Sequence, residues 1–162
     1  MSEVVLIDTT IFLNVINVPG LNQDREDVFN EFEARIKRGD HFLLPMATIW
    51  ESGNHISRLS SGARRREFAR VLADQVNMAL NGEVPFRATH FPDRNEFHKW
   101  LEAFPDAAMR NKSEEKPNEG TSLADHSIIM EWERTVSQNP SRIVGIWSLD
   151  VDLRAFRSEP DI

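Results

Sequence analysis

The sequence contains no cysteine. That excludes disulfide bonds, thiol catalysis and zinc sites built on thiolate, and it fits a reducing cytoplasm. No apolar run approaches the roughly 20 residues that a membrane span needs, so no membrane partner is expected. Nothing at the N-terminus resembles a signal peptide, since the chain opens directly on a strand pattern. Basic residues are outnumbered: 19 Lys and Arg stand against 26 Asp and Glu, a formal net charge of −7. That balance argues against a general nucleic-acid binder, because phosphate contacts need cations. It suits a chain that clusters carboxylates around a divalent metal, or one that meets a basic partner. No internal repeat is present. What remains is ordinary for a globular protein, 40% hydrophobic and 28% charged over 162 residues. We expect one domain over residues 1–157 with a real core, followed by a polar tail at 158–162.

The opening stretch organises the chain. Val4 to Ile7 run straight into Asp8, then Thr9 and Thr10, and the apolar pattern resumes at Ile11, Phe12, Leu13, Val15 and Ile16. A short, continuous, β-branched run predicts a strand buried on both faces, and either threonine can cap a helix that starts at once. Asp8 then sits at the C-terminal end of a central strand, the edge where open α/β sheets bind ligands. Pro19-Gly20 is a turn. Asp24 to Lys37 predicts a helix stopped by Gly39, and His41 to Leu44 a second strand closed by Pro45. Helices are expected over Ala47–Leu59 and Ala63–Leu80, a short edge strand over Phe86–Phe91, and a helix over Asp93–Phe104. Residues 105–120 are polar and read as a mobile loop. Ser122–Val136 predicts a helix and Arg142–Trp147 a strand. Ser148-Leu149-Asp150 and a short helix reaching Phe156 follow. The order of strands and helices implies a three-layer α/β/α sandwich around a central parallel sheet.

Four acids recur at equivalent places. Asp8 and Asp150 each end a strand, while Glu51 and Asp125 lie in the first turns of helices. If those elements share one sheet edge, four carboxylates converge. Such a cluster needs compensation, because close like charges repel. Mg²⁺ or Mn²⁺ is the usual answer, a hard cation that takes carboxylate oxygen, activates water and stabilises charge on a phosphodiester. The lack of Cys and the scarcity of His near these acids favour those ions over zinc. Each acid also has a plain structural use as a helix cap or an exposed helix residue.

The pattern resembles a PIN domain. The likeness rests on Asp8-Thr9-Thr10 after the first strand and on Pro45-Met46-Ala47-Thr48-Ile49-Trp50-Glu51 after the second. It rests also on Thr121 to Ile129 (TSLADHSII) and on Ser148 to Leu153 (SLDVDL), in order over Val4 to Phe156. The resemblance implies a PIN-like fold and a ribonuclease that cleaves single-stranded RNA, with single-stranded or structured RNA as its partner. Asp8, Glu51, Asp125 and Asp150 would hold one or two Mg²⁺ or Mn²⁺, and Thr10, Ser148 and Asp152 would support them. A water activated by metal would be the nucleophile. Small proteins of this kind look like VapC-type toxins, held in check by a co-expressed antitoxin, and their exposed apolar helices often pair into homodimers. The chain departs from the common small form in its segment from Gly82 to Gly120 and in the Arg64-Arg65-Arg66 triplet.

Between Asn54 and Trp100 the chain carries eight Lys or Arg against five acids, so one side is basic. Arg64, Arg65 and Arg66 are candidates for RNA contact, equally readable as a solvated helix face. Arg58 shares a helical face with Glu51 and is the basic residue expected nearest the phosphate. His126 is expected to pack, because adjacent helix residues face different ways. The four tryptophans are expected in the core. Two other classes stay open: a catalytically silent PIN-like binding module, and a phosphatase with an aspartyl nucleophile. The latter usually wants a second Asp two residues on, where Thr10 stands.

Overall fold

The computed structural model describes residues 1–161; Ile162, the end of the expected tail, lies outside the described residues. Strand β1 (Val4–Ile7) is buried along its whole length. Its alternate side chains enter two separate cores, as the two-residue period of a strand requires. Val5 and Ile7 join Phe12, Phe32, Phe42 and Trp147 on one face. Val4 and Leu6 join Ile128, Val144, Ile146 and Leu153 on the other. The sheet therefore has helices on both sides, the expected α/β/α layering.

Four strands pair in the order β3-β2-β1-β6, with β2 at His41–Leu44, β3 at Phe86–Ala88 and β6 at Val144–Trp147. All three pairings are parallel. Parallel strands require crossovers, and helices supply them. Helices α1 (Thr9–Val15) and α2 (Arg25–Arg38) lead from β1 to β2, and α3 (Met46–Ile56) and α4 (Gly62–Leu80) lead from β2 to β3. The return to β6 passes through α5 (Arg94–Met109), a hairpin of β4 (Asn111–Ser113) and β5 (Lys116–Gly120), and α6 (Leu123–Gln138), with α7 (Val151–Arg154) last. Because β2 and β6 flank β1 on opposite sides, the strand order switches at β1. The crevice beyond its C-terminal end is where such sheets bind ligands.

Local chemistry explains the boundaries. Gly39 follows α2 at φ 84°, a left-handed conformation that costs glycine nothing. Ser61, Asp93 and Ser122 each accept a backbone N–H in the first turn of the helix they precede. Thr48, fully buried on α3, donates to the Ile7 carbonyl at 2.8 Å and so fastens α3 to the end of β1.

Several expectations need correction. Residues 105–120 are not a loop. Helix α5 runs past Pro105 to Met109, and an antiparallel hairpin follows. Proline removes one intrahelical hydrogen bond, but α5 keeps packing on α6 through Phe104 against His126, with ring centroids 5.5 Å apart. The hairpin's polarity hid it. Its stabilising contacts are ion pairs with distant elements rather than an apolar face. The edge strand is shorter than expected and stops at Ala88. Trp50 is not in the core but 64% exposed, whereas Trp100 and Trp147 are buried. Helix α3 turns Ala47, Thr48, Ser52 and Ile56 inward, and Trp50, two residues from both Thr48 and Ser52, falls on the opposite side.

Gly120 fixes where the hairpin sits. A β-carbon there would overlap the backbone carbonyl of Ala108 on α5. Gly120→Ala must therefore push the hairpin off α5. The expected result is a destabilisation of about 1–3 kcal/mol and faster amide exchange confined to residues 111–120, measured by denaturation and hydrogen exchange.

Candidate metal centre

Helices that connect parallel strands run back antiparallel to them, so their N-termini gather at the strands' C-terminal edge. Asp8 lies between β1 and α1, Glu51 in the second turn of α3, and Asp125 in the first turn of α6. One carboxylate oxygen from each of these three residues lies within 4.8 Å of the others. Asp8 is 3% exposed and Asp125 8%. The cavity above them, about 470 Å³, is also lined by Thr9, Thr10, His55, Lys112, Ser122 and Asp150.

Each acid is held by hydroxyls or by the backbone. Thr10 Oγ1 and Ser148 Oγ both donate to Asp8 Oδ2, at 3.0 and 2.7 Å. Thr9 Oγ1 donates to Glu51 Oε2 at 2.7 Å. The Asp125 N–H donates to Ser122 Oγ at 3.1 Å, which sets the first turn of α6. Burial is the main influence on Asp8 and pushes its carboxyl above the ordinary carboxylate range; donors from Ser148, Thr9 and Thr10 oppose the shift, and the Asp125 charge adds to it. Glu51 is raised in the same way, first by burial and then by Asp125 and Asp8, against the Thr9 hydroxyl. Two carboxyls raised by burial beside a third acid lie close enough to hold a divalent cation, which would replace the lost solvation. All the donors are hard oxygens, and no imidazole belongs to the trio. The residues thus fit Mg²⁺ or Mn²⁺.

The fourth expected acid stands apart. Asp150 lines the same cavity but is not among the converging three. It caps α7, accepting the Asp152 N–H at 3.2 Å, and Lys116 Nζ lies 3.2 and 3.4 Å from its two oxygens. Asp152 receives the same ammonium at 2.7 Å. Lys116 holds Asp152 below the ordinary range, and Asp152 with Asp150 raises Lys116. Lys112 donates to Asp125 Oδ2 at 2.9 Å, with both side chains largely buried. Burial pushes the Lys112 ammonium down, but Asp125, Glu119 and Asp150 together outweigh it and leave it raised.

Both lysines were invisible as site residues in the sequence, since nothing local links them to acids in α6 and α7. Thr9 read only as a helix cap. Arg58, Arg64, Arg65 and Arg66 are all exposed, and none lines the acidic cavity. Arg65 bonds the Leu59 carbonyl at 2.6 Å, and Arg64 faces Glu67 at 3.8 Å. His126 packs as expected, its Nε2 at 2.8 Å from the Trp100 carbonyl oxygen. A second depression, of about 640 Å³, adjoins the centre through Glu51 and carries the exposed rings of Trp50, Phe91 and Phe97.

Two outcomes follow. Ser148→Ala removes a donor that holds the Asp8 carboxylate, and Mn²⁺ affinity measured by calorimetry should fall about 10–100-fold. The raised carboxyls also set a pH dependence. A folded pKa above the unfolded one means that the metal-free fold loses stability as pH rises through the interval between them. Metal-free Asp8→Asn should therefore melt higher than the parent near pH 7 and converge with it toward about pH 4. Mn²⁺ should raise the melting temperature of the parent alone.

No protein-family model matches the sequence, and no curated protein matches it. Among solved structures, the chain is similar to the crystal structure of FitAcB from Neisseria gonorrhoeae. The identity is 14%, the TM-score 0.53, and the match covers 93% of this chain and 91% of that one. Together with the four-stranded parallel sheet and its flanking helices, this likeness gives the chain a PIN-like α/β/α fold.

Proposed function

We propose that the chain is a Mg²⁺- or Mn²⁺-dependent ribonuclease that hydrolyses phosphodiester bonds of single-stranded RNA. The observation that carries this reading is the meeting of Asp8, Glu51 and Asp125 within 4.8 Å at the ligand-binding edge of a PIN-like sheet. A bound divalent ion supplies water activation and stabilises charge on the scissile phosphate. The three acids would hold it, and the hydroxyls of Thr9, Thr10 and Ser148 fix the Glu51 and Asp8 carboxylates in place. Lys112 is the lysine nearest this chemistry: it lines the cavity and its ammonium is paired with Asp125 at 2.9 Å. Asp150 and Asp152 act through Lys116 rather than beside the trio. Arg58, Arg64, Arg65 and Arg66 would meet RNA beyond the cleaved bond.

The biological setting that the PIN resemblance supports is the toxin of a toxin–antitoxin pair. An antitoxin carrying a basic side chain would compensate the acidic trio as a metal does, which gives the negative charge of the cavity a use in inhibition. One observation favours a second reading, a silent PIN-like binding module: Lys112 already compensates Asp125.

Cleavage of mixed single-stranded RNA by purified protein separates the two. Cutting with Mn²⁺ or Mg²⁺ is expected, with loss to the chelator baseline in both Asp8→Asn and Asp125→Asn. Folded parent protein that binds Mn²⁺ but cuts no RNA would favour the silent module.

A further inference from the structure

Lys112 and Lys116 sit on opposite strands of one hairpin, flanking the turn at Glu114-Glu115. They serve different acids. Lys112 occupies a single oxygen of Asp125, 2.9 Å away, and leaves Asp8 and Glu51 free of ammonium contacts. Lys116 engages both oxygens of Asp150 and Oδ2 of Asp152. Among the described residues no other cation lies within ion-pair distance of Asp150 or Asp152. An ion bound by the trio has to displace at most one lysine contact, whereas an ion bound through Asp150 has to displace Lys116 from two carboxylates at once.

We propose that Lys116 is a built-in counter-cation that restricts this centre to one divalent ion by occupying Asp150 and Asp152. The proposal rests on the metal-dependent reading above and decides its ion count. The ammonium does for the two acids what a second ion would do, with one positive charge instead of two and no capacity to activate water. The hairpin that carries it packs closely on α5, where Gly120 meets the Ala108 backbone. Removing the ammonium leaves Asp150 and Asp152 as neighbouring, uncompensated carboxylates, a pair that attracts a divalent cation.

Ion count is read directly by titrating metal-free protein with Mn²⁺, using electron paramagnetic resonance of free Mn²⁺ and native mass spectrometry of the complex. One ion per chain is expected for the parent and for Lys116→Arg, which keeps the charge. Two are expected for Lys116→Gln, and one again when Asp150→Asn is added to it. Lys116→Met, which keeps the aliphatic stem, replaces the Gln variant if circular dichroism shows that variant unfolded. Two ions in the parent would overturn the proposal, as would one ion in both neutral variants; in either case the metal reading stands. No ion in the parent or in any variant would overturn the metal reading, and this proposal with it.

Discussion

Carboxylates confined near one another at the end of a parallel sheet are the constraint around which this molecule is built. The central strand must be apolar on both faces, and the helix that follows must start at once, so the residue between them has little access to water. Placing aspartate there costs solvation. Bringing Glu51 and Asp125 to the same place adds repulsion to that cost. Burial keeps Asp8 and Glu51 above the usual carboxylate range even though three donors serve Asp8 and one serves Glu51. A fold selected for stability alone would put apolar or neutral groups at these positions.

The other end of the sheet shows the same residue types arranged for stability. The Glu3 N–H donates to Asp40 Oδ1 at 2.9 Å, and both acids are largely buried. There, however, every carboxylate has a guanidinium. Arg157 donates to both oxygens of Glu3, and Arg38 engages both oxygens of Asp40, with Arg35 beside each. The hydrogen bond from Arg157 holds Glu3 below the ordinary range. Burial would raise Asp40, but Arg38 and the Glu3 N–H outweigh it and hold it low. At this edge guanidinium pairing outweighs burial, whereas at the other edge burial outweighs the donors that serve Asp8 and Glu51. Carboxyls shifted in that way are characteristic of functional sites.

Much of this was legible in the chain itself. β1, β2, the end of β6, and helices α2, α4 and α6 were readable because each carries a strong short-range signal: β-branched runs, 3.6-residue spacing, and a stop at Gly39. The acids at strand ends and helix starts were readable for the same reason, since their place in the local pattern places them at one edge. The hairpin was not readable. Asn111 to Gly120 has no apolar alternation, and its stability comes from Lys112 with Asp125, Lys116 with Asp150 and Asp152, and the seat of Gly120 on Ala108. Trp50 misled because an aromatic in a helical apolar pattern is usually core. Here the inward face of α3 is built from smaller residues.

Short-range pattern was enough to give the layered parallel fold and the set of acids that could meet, because strand burial and helix periodicity act over a few residues. Tertiary structure decided which acids actually meet and which cations reach them. Asp8, Glu51 and Asp125 share a point in space because three separate crossover helices start at that edge. Asp150 lines the same cavity but pairs with a lysine 34 residues earlier in the chain. Distances of that kind depend on how whole elements pack, and no local pattern encodes them.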